Sequence, residues 1–247
     1  MSRFELFSPE GLRIDGRRWN ELRHFSCKIN THPNSADGSS YVEQGLTKVV
    51  CIAKGPREPD GRNQTSNDGV LLNIDITVPP FSTTERKRRA RNDRRIQEMC
   101  ICLRRLFKEA VLSHLYPRTV IDINLYVVAE DGGMLPACIN AATLALIDAG
   151  ISMKDYVSGC STAMYGDNPL LDPCHAEEQD VSFVNVGVIG KTTERLSLLL
   201  LENKMPLDRL EPAIALSLSG CQSIRSMMDA EVRRHGASRK AKTISLE

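Results

Sequence analysis

Apolar and polar positions change period several times along the 247 residues. HFSCKINTH (24–32) reads as a short strand, and SYVEQGLTKVVCIAKG (40–55) as a strand pair or one bent strand with a turn near Gly45. A polar, turn-rich loop, PREPDGRNQTSNDG (56–69), separates these from a further strand, GVLLNIDITV (69–78). The period then becomes helical. Over 91–117 the residues Ile96, Met99, Cys100, Leu103, Phe107, Ala110 and Val111 recur on one face. Asn92 or Asp93 can cap this helix and Pro117 ends it. TVIDINLYVVAE (119–130) alternates as a half-buried strand. AEDGGMLPACINAATLALIDAG (129–150) turns at Asp131–Gly133 and runs as a helix to the stop at Gly150.

After ISMKD the pattern repeats. Strands are expected at 156–165, 181–190 and 195–202, then a long helix from about Leu207 to His235 and a polar, frayed tail. Strands followed by helices, twice over, predict an α+β fold of two similar halves, 1–150 and 151–247.

Composition narrows the possibilities. With 41% hydrophobic and 26% charged residues the chain has the balance of a globular protein. A net charge of +1 means that nucleic-acid binding must come from a local patch. No segment approaches the roughly 20 apolar residues that span a bilayer, and MSRFELFSPEGLRIDGRR lacks the continuous apolar core of a secretion signal. The eight cysteines form no C-x-x-C pair, and Cys100 and Cys102 point to different helix faces. Free, buried, reduced thiols are expected rather than zinc ligands or disulfides, as in a cytosolic or nuclear protein.

Several segments together resemble the RNase PH family, in particular the core-ring subunits of the eukaryotic RNA exosome. They are SPEGLRIDGRRWNELR (8–23), ADGSSYVEQGLTKVV (36–50), NDRRIQEM (92–99), LYPRTVIDINLYVVAEDGG (115–133), AATLALIDAGISMKD (141–155), PLLDPCHAEE (169–178) and MPLDRLE (205–211). Among ring subunits the chain looks like the one corresponding to the catalytic subunit of the archaeal ring. The resemblance implies a fold similar to the second domain of ribosomal protein S5, duplicated within the chain. It also implies a six-membered ring with five other RNase PH-like subunits around a channel for single-stranded RNA. S1/KH cap subunits and a docked hydrolytic 3′–5′ ribonuclease would complete that assembly. Its expected work is ribosomal RNA processing and RNA decay in nucleus, nucleolus and cytoplasm, with no membrane.

Active relatives cleave RNA from its 3′ end with inorganic phosphate, which takes a grip on the RNA, a phosphate site and an acid. ERKRRARNDRR (85–95) holds seven basic and two acidic residues and places Arg94 and Arg95 in the first turn of a helix. A solvated charge run is the bland alternative; the resemblance implies instead that this pair holds the RNA backbone, bidentately. Arg86–Arg91 stay a solvated loop, and Arg62 is a further candidate, near the channel entrance. Where active relatives follow Asp-Gly-Gly with a hydroxyl residue and an arginine, this chain has Met134 and Leu135 after Gly132 and Gly133. At ~1.5–3 kcal/mol for each lost charge-assisted bond, the phosphate loop is expected to be vestigial. The essential aspartate aligns with Ser182 or Phe183, and only a register slip would bring in Asp180. Asp172, His175, Glu177 and Glu178 are expected to be exposed loop residues without ligand spacing. No catalytic residue, metal or cofactor is expected. The chain reads as a non-catalytic channel subunit, with phosphate-dependent 3′–5′ exoribonuclease activity through Asp180 as the alternative.

Overall fold

A computed structural model describes residues 11–59, 69–83, 86, 93–191 and 196–244, with side chains through residue 241. Among the described residues there are two sheets and four α-helices. The first sheet contains β1 (Phe25–Ile29), β2 (Gly38–Gln44), β3 (Thr47–Arg57), β4 (Leu71–Thr77) and β5 (Val120–Ala129), in the order β1-β2-β3-β5-β4. Only β4 and β5 run parallel, because α1 (Arg94–Ala110) carries the chain between them. The 40–55 segment is the strand pair of the two sequence alternatives: Gln44 faces Thr47 across a two-residue turn, with Gly45 at φ 61°. The second sheet is antiparallel throughout, in the order β7-β6-β8-β9. Its strands are β6 (Val157–Tyr165), β7 (Asn168–Leu171), β8 (Ser182–Ile189) and β9 (Leu196–Leu201).

Between the sheets lies α2 (Met134–Asp148), which packs on β2 and β3 from one side and β6 from the other. Its sequence, MLPACINAATLALID, is apolar all round and has no solvent face to offer; every residue from Met134 to Leu146 is buried. The two polar side chains within that buried stretch, Asn140 and Thr143, are satisfied. Asn140 exchanges two hydrogen bonds with the backbone of Gly159, at 2.9 and 3.1 Å, and the Thr143 hydroxyl reaches the carbonyls of Ile139 and Val157. The approach to the first sheet is equally close: a Cβ at Gly38 would lie 2.7 Å from that of Ala149. One core cluster therefore draws side chains from both sides of residue 150, including Leu125, Ile139, Val186 and Ile224.

Three expectations need correction. The first helix ends at Ala110 rather than near Pro117, because residues 152–154 capture its exit: Lys154 N–H donates to Ala110 O, Leu112 N–H to Ser152 O, and Val111 bridges Met153. The last helix, α4 (Leu207–Ile244), runs past His235 through the residues expected to fray, where alanines, lysines and arginine sustain it. The segment expected to be an exposed connection, 172–180, folds over most of its length as a short helix, α3 (His175–Asp180). Cys174 caps α3 and the Glu177 side chain returns to the Cys174 N–H at 2.9 Å, a capping box with sulfur in place of a hydroxyl.

Glu177 is also fully buried against Arg13. The guanidinium donates to both carboxylate oxygens and to the carbonyls of Leu171 and Asp172. Burial pushes Glu177 up, but the bonds from Arg13 outweigh it and hold its carboxyl below the usual range. Removing one partner of such a pair strands a buried charge, so Glu177→Ala is expected to cost about 3–5 kcal/mol, read as a lowered midpoint in urea denaturation of the full chain.

Candidate functional site

The N-terminus of α2 meets the start of α3 through the turn Asp131-Gly132-Gly133. Gly132 and Gly133 are both left-handed, at φ 78° and 62°, and both are hemmed in. A Cβ at Gly132 would sit 2.8 Å from the carbonyl oxygen of Pro173, and one at Gly133 2.8 Å from Nη2 of Arg23. Glycine is required twice, by conformation and by space. Arg23 holds this turn from below, donating to the carbonyls of Asp131 and Gly132, while the Thr47 hydroxyl donates to Gly132 O at 2.7 Å and accepts from Asp131 N–H at 3.0 Å.

Beneath the turn is a charge pair that the sequence pattern did not predict. Asp172, expected to be exposed, is fully buried and left-handed at φ 51°. Its Oδ1 accepts from Arg23 Nη2 at 2.7 Å and Gln44 Nε2 at 3.0 Å, and its Oδ2 from the backbone of Arg23 at 3.1 Å. Burial alone would lower Arg23; the adjacent Asp172 charge and bond raise it instead.

Met134 and Leu135 are 7% and 3% exposed and belong to the core cluster. Their side chains pack, as an apolar pair must, and offer no donor to an anion. Pro136, third in the helix, has no N–H. The Gly133 N–H is engaged by the chain itself, donating to Glu178 Oε1 at 2.7 Å. Glu178 was expected on an exposed loop; it is instead mostly shielded, and burial pushes its carboxyl up to about 7 even though the Gly133 bond and the charges of Arg23 and Arg95 pull the other way.

Arg94 and Arg95 open α1, with Asp93 accepting from Arg95 N–H as the cap. The positive end of a helix dipole disfavours cations, and no acidic residue occupies that first turn to compensate. Arg94 is 92% exposed in its side chain and leans on Glu98, one turn on, at 3.0 Å; Arg95 reaches Glu202 beyond β9 at 3.4 Å. Through Glu202 and Glu178 this corner of α1 faces the α2 turn. Arg62 lies outside the described residues, as do most of 84–92.

The other candidate groups do not gather here. Asp180 is exposed at the end of α3, Ser182 is half-buried at the start of β8, and Phe183 packs with Ala163, Leu170 and Val181. His175 is exposed and bonded to Gln179. Among the described residues, Asp15, Cys174 and Glu177 bring donor atoms within 4.8 Å of one another. Both Glu177 oxygens are already spent on Arg13, and burial raises the Cys174 thiol, so this group does not suit a metal. The cysteines are free, and burial pushes those in the core, such as Cys51 and Cys160, well up. No helix among the described residues is long and apolar enough to cross a membrane. The residues that sequence reasoning missed are Arg23, Gln44, Asp172 and Glu178. One signal was available: Glu177 three places after Cys174, the spacing of a helix start.

Residues 21–152 match the family described as 3′ exoribonuclease family, domain 1, RNase PH. Over 240 residues, 97% of each chain, the sequence is 51% identical to exosome complex component SKI6 of Saccharomyces cerevisiae. It is 34% identical over 231 residues to exosome complex component Rrp41 of Archaeoglobus fulgidus, covering 92% of this chain and 88% of that one. The crystal structure of rice (Oryza sativa) Rrp46 superposes with a TM-score of 0.80 at 25% identity, covering 90% of this chain and all of that one.

Because Gly133 has neither room nor conformational freedom for a side chain, Gly133→Ala should displace Arg23 and cost about 1–3 kcal/mol. The loss should appear as a lowered thermal midpoint, with Gly150→Ala, where a Cβ meets nothing within 4 Å at φ 72°, as a control that carries the backbone strain alone.

Proposed function

The chain belongs to the 3′ exoribonuclease (RNase PH) family, and on that premise we propose that it is a non-catalytic subunit of an exosome core ring that guides single-stranded RNA to a nuclease on another chain. The reading rests on one observation: the first turn of α2 begins Met134-Leu135-Pro136, with both of the first two side chains buried in the core. A phosphate nucleophile there would find neither a hydroxyl nor a guanidinium after the glycines. Gly132, Gly133, Met134 and Leu135 are then a vestigial phosphate loop. The family's essential aspartate would align with Ser182 or Phe183, neither of them a carboxylic acid, and Asp180 is exposed at the end of α3.

The retained function is the grip. Arg94, Arg95 and, from its place in the sequence, Arg62 are the proposed RNA contacts. Two guanidiniums at a helix N-terminus are electrostatically costly for the helix and well suited to a polyanion. Because such contacts touch phosphates and not base edges, binding should be sequence-tolerant. The halves 1–150 and 151–247 are proposed as two copies of one α+β unit, each a sheet leading into a helix. Ring partners would be five other RNase PH-like subunits, with S1/KH caps above and a hydrolytic 3′–5′ ribonuclease below. Edge strand β9, with Leu196, Leu199 and Leu201 substantially exposed, is the kind of surface that association covers. The work of such an assembly is ribosomal RNA processing and messenger RNA turnover in nucleus, nucleolus and cytoplasm.

Charge reversal at the grip tests the proposal. In the assembled ring, Arg94→Glu with Arg95→Glu should weaken single-stranded RNA protection and lower the salt slope of binding by about 1.4, with ring mass unchanged. Equal protection of RNA by the variant and parent rings would overturn the assignment of these two arginines.

A further inference from the structure

The N-terminus of α2 still faces an anion, and that anion is part of the chain. We propose that the Glu178 carboxylate is the resident ligand of this helix end, an intramolecular occupant that excludes free oxyanions of the phosphate class. The proposal rests on the non-catalytic reading above and deepens it, since it supplies a second and separable reason why phosphate would not bind.

Several observations converge. Oε1 of Glu178 accepts the Gly133 N–H at 2.7 Å, the geometry of an anion on a helix N-terminus. The carboxylate is delivered by α3, whose start is locked against the turn: a Cβ on Gly132 would meet Pro173, Cys174 and His175 backbone atoms at 2.8 Å. The capping box at Cys174 fixes the register that points Glu177 toward Arg13 and leaves Glu178 on the α2 side. Donors for an anion remain nearby. The Ser161 hydroxyl, fully buried and without a partner, lies 3.5 Å from where a Gly133 Cβ would be, and Arg23 Nε, likewise buried, is also unpartnered. Such groups are costly unless a ligand or water uses them. The chain thus keeps a polar, cationic surround for a small anion and fills the seat from within.

Charged groups reach Glu178 from each neighbouring element. Arg23, itself tied to Asp172 and beside Asp131, approaches from below; Arg95 comes from α1 and Glu202 from the end of β9. Burial, first, and Glu202 raise the carboxyl, and the Gly133 bond and the two arginines lower it, leaving it at about 7. As pH falls through that value Glu178 gains a proton and loses its charge, so the charge-assisted bond to Gly133 weakens. Occupancy by the ionised form is a property of the alkaline side.

The test uses the full chain labelled with [15N]glycine, and inorganic phosphate as the probe. In the parent chain the Gly133 amide should titrate with a midpoint near pH 7 and should ignore phosphate at pH 8; in Glu178→Gln it should be flat with pH and shift with phosphate, with affinity raised roughly tenfold or more, the worth of one charge-assisted contact. A pH-independent Gly133 amide in the parent chain overturns the proposal, as does an equal response of both chains to phosphate. The parent titration decides the point even if the variant does not fold. Phosphate-dependent release of nucleoside diphosphates by the assembled ring would sink the non-catalytic reading instead, and the amide titration is blind to that activity, so the two failures are distinguishable.

Discussion

A guanidinium and a carboxylate, Arg23 and Asp172, meet in the interior at 2.7 Å, and four parts of the chain depend on that meeting. Arg23 precedes β1 and carries the Asp131-Gly132-Gly133 turn on its other nitrogen contacts. Asp172 follows β7, takes a hydrogen bond from Gln44 at the end of β2, and leads into α3. Ion pairs removed from water repay desolvation only when their remaining valences are filled. Here both carboxylate oxygens accept and the Asp172 carbonyl accepts from Arg13 and Arg17 as well, while Arg23 Nε is left without a partner. The pair stabilises no single element; it sets where the α2 turn sits relative to α3.

From that placement follows the character of the site. A buried helix, apolar on every side, has its N-terminus aimed at a corner where β5, α1, α3 and the end of β9 converge. Such an end attracts negative charge whatever side chains follow it. In this chain the following side chains are Met134 and Leu135, which go into the core, and the negative charge comes from Glu178. The arginines at the start of α1 stay outward, Arg94 almost wholly so. On the proposed reading, binding and cutting rest on different elements, α1 for one and the α2 turn for the other, so that the groups of one can be lost without disturbing the other.

Much of this was legible in the residues. The helical period over 91–117, the alternation of 119–130 and the turn near Gly45 are local signals, and β5, α2 and the β2–β3 hairpin, one of the two alternatives for 40–55, stand where those signals put them. That two apolar residues, Met134 and Leu135, follow the glycines is a matter of side-chain identity and needs no structure. What was not legible is long-range. Asp172 looks like any loop acid until Arg23, 149 residues earlier, is folded beneath it. Glu177 and Glu178 are adjacent in sequence, yet one is consumed by Arg13 and the other by Gly133. Their opposite roles are set by the register of α3, a helix of six residues with too short a pattern to announce itself. The early end of α1 was hidden for the same reason, because its last carbonyl is taken by Lys154 from across the fold.

The central claim is that this chain keeps the cations that steer a polyanion after losing the groups that would cut it. The most direct test is to reconstitute the ring with every hydrolytic nuclease left out, supply orthophosphate and 3′-labelled single-stranded RNA, and assay for nucleoside diphosphates. The account predicts RNA that is bound and not shortened. Diphosphate release that disappears when Asp180 or Glu178 of this chain is replaced would contradict it.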